Sequence, residues 1–364
     1  MIKSASLRKD IKSIDETDKE IMKEAKEYID NLAKPLGSLG ELESIAIKLS
    51  SITGKVKNKI EKKAIIIMCA DNGVVEEHVA SAPQYVTLAQ TKHFIKGGTG
   101  VAALAKENGT DLIVVDIGIN SDEKIDGVID RKIRKGTSNL YQDSAMSKDE
   151  VEKAIEIGIE MAEKAAKDGY EILGVGEMGI GNTTSSSAVL CALLDEKIDN
   201  VVGKGGGITE ASFRKKKVVI KWALKRIDSD DVIEILSEVG GFDICGMAGV
   251  FLGAAKMKVP VVIDGFISAV AAMVACRLNP LVKEYLFSSH KSFEIGYDLA
   301  MKELELNPIL NLNMRLGEGS GCPLAFSIID FANSMVNNMG TFEDAKIDNS
   351  YLDTVREEKN YKVK

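Results

Sequence analysis

Five short runs of apolar, β-prone residues recur along this 364-residue chain and constrain its fold more than any other feature: Ala64–Cys69, Leu112–Asp116, Tyr170–Val175, Val259–Asp264 and Glu284–Ser288. Their apolar character is continuous rather than alternating, which suits strands buried on both faces of a parallel sheet. The segments Thr87–Glu107, Lys148–Lys167, Thr184–Leu194, Ser212–Arg226, Asp243–Met257, Phe266–Leu278 and Ser292–Leu304 carry helical patterning between or after them. Repeated β-α units of this kind make an α/β fold. The two ends of the chain are helical or irregular without clear strands. The expectation is a large α/β domain over residues 61–310, a small lobe built from 1–60 plus 311–350, in which Glu318 falls, and a frayed tail over 351–364.

Composition narrows the function classes. The net charge of −8 is spread along the chain, and the most basic run, Arg214-Lys215-Lys216-Lys217, has no interleaved aromatics, so a nucleic-acid surface is not expected. Cys69, Cys191, Cys245, Cys276 and Cys322 stand singly among apolar neighbours, and the chain has only three histidines. Free thiols in a reducing compartment follow, with no metal site. No apolar run approaches membrane-spanning length, and the N-terminus is charged. A soluble cytoplasmic protein with small-molecule partners is expected.

Glycine and polar clusters fall where the strands end. Asp71-Asn72-Gly73, Gly118, Gly176-Glu177, Asp264-Gly265 and Ser288-Ser289-His290 each follow one of the five runs. Turns are rich in Gly and Asp in any case, but in open α/β sheets ligands bind at the carboxyl ends of the strands, so five clusters together point to one site.

Gly174-Val-Gly-Glu-Met-Gly179 matches the spacing of a dinucleotide-binding loop, yet Glu177 would set a carboxylate against the pyrophosphate. The longer stretch Gly176–Thr184 makes better sense as a bed for a nucleotide, with Asn182, Thr183 and Thr184 as polar donors at a helix start; Thr183 or Thr184 as a plain N-cap is the alternative. Gly203-Lys-Gly-Gly-Gly207, ahead of Lys215, Lys216 and Lys217, reads either as an anion nest completed by a lysine or as a loop beside a solvated basic face. Gly317-Glu-Gly-Ser-Gly321 presents a carboxylate on a tight backbone before an apolar helical run. By itself it leaves open a catalytic acid or a partner of the helix dipole worth about 0.3–1 kcal/mol.

Together these segments resemble the nicotinate-nucleotide:dimethylbenzimidazole phosphoribosyltransferases of cobamide lower-ligand assembly. The resemblance runs in collinear order from Lys34-Pro-Leu-Gly-Ser-Leu-Gly40 through Met68–Gly73, Gly97-Gly-Thr-Gly100, Gly174–Thr184, Gly240-Gly-Phe-Asp243, Asp264-Gly-Phe266, Ser289-His-Lys-Ser292 and Met314–Gly321 to Asn338-Met-Gly340. It implies a Rossmann-like parallel sheet flanked by helices, a smaller lobe formed from N- and C-terminal segments, and a homodimer. It also implies Glu318 as general base and Gln90, Glu177 and Leu316 around the incoming base. The nucleotide and its phosphate would fall to Gly176, Gly179, Gly181, Asn182, Thr183, Gly205, Gly206, Lys216, Asp264 and Ser292. Asn72 departs from the histidine that many members have, and Gly206-Gly207 is looser than their pattern.

The implied reaction moves ribose 5-phosphate from nicotinate mononucleotide to 5,6-dimethylbenzimidazole or a similar base, giving an α-ribazole 5′-phosphate-type product and nicotinate. A neutral azole N–H is too weak an acid for a carboxylate to ionise first. Glu318 would therefore take the proton during or after attack, once the ring has become an imidazolium. No cofactor and no metal are expected. Transfer of the same group to adenine or a phenolic base, and a non-catalytic nucleotide-binding protein, are the alternatives.

Overall fold

The computed structural model describes residues 2–358. The chain divides into a larger unit, made of the segment up to Asp15 and Lys62–Ala325, and a smaller one, made of Glu16–Glu61 and the chain from Phe326 onward. This moves two expected boundaries. The first helix, Ala5–Lys12, belongs to the larger unit, where Lys256 bonds Asp10 at 2.8 Å and Glu152 accepts the backbone N–H groups of Lys3 and Ser4. The Gly317–Gly321 loop belongs there too, so Glu318 sits with the sheet and not with the terminal segments.

The larger unit holds one six-stranded sheet, all parallel: β1 (Lys63–Ala70), β2 (Thr110–Gly118), β3 (Ile129–Asp130), β4 (Ile172–Met178), β5 (Val261–Ile263) and β6 (Leu286–Ser288). Their order is β3-β2-β1-β4-β5-β6, a doubly wound arrangement that reverses direction between β1 and β4. β1 and β4 are buried along their whole length, in keeping with their mainly apolar sequences, although Lys63 and Glu177 lie within them. β4 runs past the expected end at Val175, because Gly176, Glu177 and Met178 pair with Ile67, Met68 and Cys69 of β1. Glu177 is thus a strand residue, fixed by the ladder. β5 begins only at Val261, after Pro260, which has no N–H to give a ladder.

Two helical expectations are revised. Thr87–Glu107 is two helices, Tyr85–Ile95 and Gly100–Glu107; Gly97 turns left-handed at φ 72°, and the Thr99 hydroxyl caps the second helix through the Ala102 N–H. The helix after β6 starts at Tyr297, leaving Ser292–Gly296 as a loop. Lys148–Lys167 lies tight against Phe242–Lys256, where Gly158 and Gly249 allow backbone contact that no side chain would permit.

In the smaller unit, helices Lys19–Asp30 and Glu41–Thr53 lead the chain, and Lys34 forms a buried ion pair with Glu43 at 2.8 Å. Leu36, Phe342 and Leu352 cluster there with Ala33 and Val355 against them. Within the expected tail Leu352 is buried, and Asp353–Glu358 is helical. The rest of the expected tail, 359–364, lies outside the described residues. Among the described residues no helix is long and apolar enough to cross a membrane.

Candidate active site

The β1/β4 reversal opens a crevice above the strand ends, and a cavity of about 360 Å³ occupies it. β4 supplies Gly176 and Glu177, β5 leads into Asp264, and β6 leads into His290 and Ser292. Every residue expected at the site lines this cavity except Lys216.

The acid end is built on three successive residues with left-handed backbones, Gly317 (φ 84°), Glu318 (φ 66°) and Gly319 (φ 87°). Glycine is at ease there; a glutamate is not, at about 1–2 kcal/mol. The turn is clamped from below. Gly319 N–H donates to Asp264 Oδ2 at 2.9 Å and Gly321 N–H to Oδ1 at 2.7 Å. Gly176 lies against the same turn so closely that a Cβ would stand 2.5 Å from the Glu318 carbonyl oxygen. Its place in a dinucleotide-like spacing thus comes from chain meeting chain, not chain meeting pyrophosphate.

The Glu318 side chain is 6% exposed. Its Oε1 accepts from Gln90 Nε2 at 2.6 Å, and its Oε2 from the Val101 N–H, at 3.4 Å, in the first turn of the Gly100–Glu107 helix. Leu316, 57% exposed, presents its side chain beside Gly100. A carboxylate, an amide and an apolar side chain therefore converge on one cavity wall, a combination suited to a flat base with one proton to give.

Next to it lie two buried carboxyl groups bridged by one amide. Asn182 donates from Nδ2 to Glu177 Oε2 and, at 3.0 Å, to Asp243 Oδ2. Burial, and then the charge of Asp243, pushes Glu177 up to about 8; burial pushes Asp243 up to about 6. Burial thus favours the protonated form of Glu177. Gly179 and Gly181 bring the chain over this floor, Gly181 at φ 100° opening the Asn182–Leu194 helix.

The other end favours an anion. The helix opening at Asn182 turns the positive end of its dipole here, the Asn182 N–H itself being given to the Gly179 carbonyl at 3.1 Å, with Gly205, Gly206 and Ser292 around it. Lys216 does not reach over the glycine loop as expected; it lies behind it, 1% exposed, donating from Nζ to Thr183 Oγ1 at 3.1 Å and to the Gly203 carbonyl at 3.2 Å. Burial lowers it to about 8, with the Glu294 charge opposing. Lys215 and Lys217 turn outward to Glu77 and Asp199, at 3.0 and 2.7 Å.

Sequence reasoning missed Arg315 and Glu294, both on the cavity wall. Glu294 is raised by burial and eased by Lys216, the Gly205 N–H and Arg315. It stands two residues beyond Ser292, and Arg315 lies within Met314–Gly321, so position in or beside those motifs was the available signal. Asp243 closes a quoted motif but had no role assigned.

A family model described as "Phosphoribosyltransferase" matches residues 14–347. The nicotinate-nucleotide-dimethylbenzimidazole phosphoribosyltransferase of Clostridium perfringens is 63% identical over 355 residues, 97% of this chain and 98% of that one. That of Acetivibrio thermocellus is 51% identical over 340 residues, 93% of this chain and 97% of that one. The crystal structure of CobT from Thermus thermophilus has a TM-score of 0.88 at 35% identity, covering 91% of this chain and 100% of its own.

Proposed function

This chain belongs to the nicotinate-nucleotide-dimethylbenzimidazole phosphoribosyltransferase family, and we propose that it transfers ribose 5-phosphate from nicotinate mononucleotide to 5,6-dimethylbenzimidazole, releasing nicotinate and forming the nucleotide used in cobalamin assembly. The observation that carries the reading is polarity along one cavity: the Glu318 carboxylate at one end, and a helix N-terminus backed by the Lys216 ammonium at the other. A flat base and a phosphate joined through ribose fit that order.

In this mechanism one azole nitrogen attacks the anomeric carbon as the bond to nicotinate breaks. The ring becomes an imidazolium, its other N–H turns acidic, and Glu318 takes the proton. Gln90 orients the carboxylate, and Glu318 also stabilises the positive charge that develops on base and ribose. Leu316 covers the base, and neutral Glu177 with Asn182 meets the ribose hydroxyls without repelling the phosphate. Thr183, Gly205, Gly206 and Ser292 face the phosphate, with Lys216 behind them as counter-charge. A monophosphate donor has no pyrophosphate to neutralise, so turnover proceeds without an added divalent cation or cofactor. Family membership supports a cytoplasmic homodimer, with substrate contacts carried by the larger unit.

The test is release of nicotinate from nicotinate mononucleotide with dimethylbenzimidazole, adenine and cresol offered together. The dimethylbenzimidazole nucleotide should dominate, and Glu318→Gln should lower turnover at least about 100-fold while binding the base. Nucleotide binding without nicotinate release would make this a non-catalytic binder; a dominant adenine or cresol product would reassign the base.

A further inference from the structure

Asp264 entered as a nucleotide contact, yet its geometry describes a different task. It is 2% exposed, and its two carboxylate oxygens accept the N–H groups of Gly319 and Gly321, which follow Glu318 in the chain. Backbone N–H groups gathered on one side of a tight turn make a concavity for an anion. Here the anion is the protein's own. The Oδ1 that accepts from Gly321 also stands 3.5 Å from Nε2 of His290, itself 1% exposed. Neither ring nitrogen of His290 has a closer hydrogen-bond partner among the described residues. The ring edge lies against Gly321, where no Cβ would fit. Ser289 fixes this corner by donating from Oγ to the Asp264 carbonyl at 2.7 Å and from its N–H to the Ile263 carbonyl at 3.0 Å.

We propose that Asp264 is the positioning residue for Glu318, holding the Gly317–Gly321 turn through its two N–H bonds, and that His290 supports Asp264. The proposal rests on Glu318 being the base. Asp264 also borders the cavity, but each of its oxygens is already held by one N–H of the turn, and beside a phosphate its charge would repel. Burial opposes a charge on His290, but the contact with Asp264 and its charge outweigh it and raise the pKa.

The test uses the full chain with Asp264→Asn, Glu318→Gln and the double variant. Asn keeps the shape but turns an NH2 group toward one of the two donors. The expected result is a kcat about 10- to 100-fold lower with KM for nicotinate mononucleotide within about twofold, and a double variant no slower than Glu318→Gln alone. A tenfold rise in KM with kcat kept would make Asp264 a nucleotide contact; a further tenfold loss in the double variant would show an independent role. Either overturns the proposal. Hydrogen exchange at the Gly319 and Gly321 amides separates it from the catalytic reading: exchange should quicken in Asp264→Asn and not in Glu318→Gln, whatever the latter's turnover. Unchanged protection in Asp264→Asn overturns the positioning role. If Asp264→Asn does not fold, His290→Phe keeps the ring volume and should lower kcat about three- to tenfold with KM kept; wild-type kcat there removes His290 from the pair.

Discussion

Gln90 Nε2 stands 2.6 Å from Glu318 Oε1, so a side chain on the Tyr85–Ile95 helix fixes the orientation of a carboxylate some two hundred residues further along the chain. Without it, the longer contact from the Val101 N–H is what remains to orient the group. Gln90→Ala should therefore lower turnover about 10- to 100-fold, the range for loss of one hydrogen bond to a charged group. Gln90→Glu should be worse, since it sets like charges together. Initial rates of nicotinate release at saturating substrates check this, and wild-type rates for Gln90→Ala would remove the orienting role.

Stability should fall as pH rises toward 8. The folded chain holds Glu177 at about 8 and Asp243 at about 6, above the about 4 of free carboxyls, so between those values the folded state binds more protons than the unfolded one. The stabilisation is full below the unfolded values and is lost as pH climbs through the folded ones. Each group contributes a slope of at most about 1.4 kcal/mol per pH unit. Urea midpoints followed from about pH 5 to 8 should decline, and Glu177→Gln should flatten the upper part of that decline. An equal slope in wild type and variant would assign it elsewhere.

Lys216 and Glu294 divide stability from affinity. Lys216→Met leaves the Glu294 carboxyl without the cation that most eases its charge, and should cost about 1–3 kcal/mol. It should also raise KM for nicotinate mononucleotide about tenfold, since the positive charge behind Thr183 is gone. Adding Glu294→Gln should restore the urea midpoint and leave KM high. Recovery of both together would mean that Lys216 acts on the substrate only through the fold.

How much of this was legible depends on where the information sits. Continuous apolar runs gave five of the six strands, whereas β3, two residues long, carries too little pattern to separate from a turn. The break between Tyr85–Ile95 and Gly100–Glu107 was hidden because apolar spacing continues across it; the left-handed Gly97 and the Thr99 cap make the break. For the lysine run, helical phase held an unused clue: Lys216 shares its buried face with Val219, Ile220 and Ala223, at spacings of three, four and seven. Asp264 and Glu294 were harder. Their partners are Gly319, Gly321 and Lys216, remote in sequence, and only the folded chain brings them within reach.

Glu318 is the one non-glycine in its run of three left-handed residues, and its carboxylate is almost wholly removed from water. Glycine there would relieve the backbone by about 1 kcal/mol and withdraw a buried charge. A population selected only for sturdiness would drift toward Glu318→Gly and become more heat-resistant as it lost the chemistry. On the role proposed for Glu318, the glutamate here sets turnover against the preference of the fold itself.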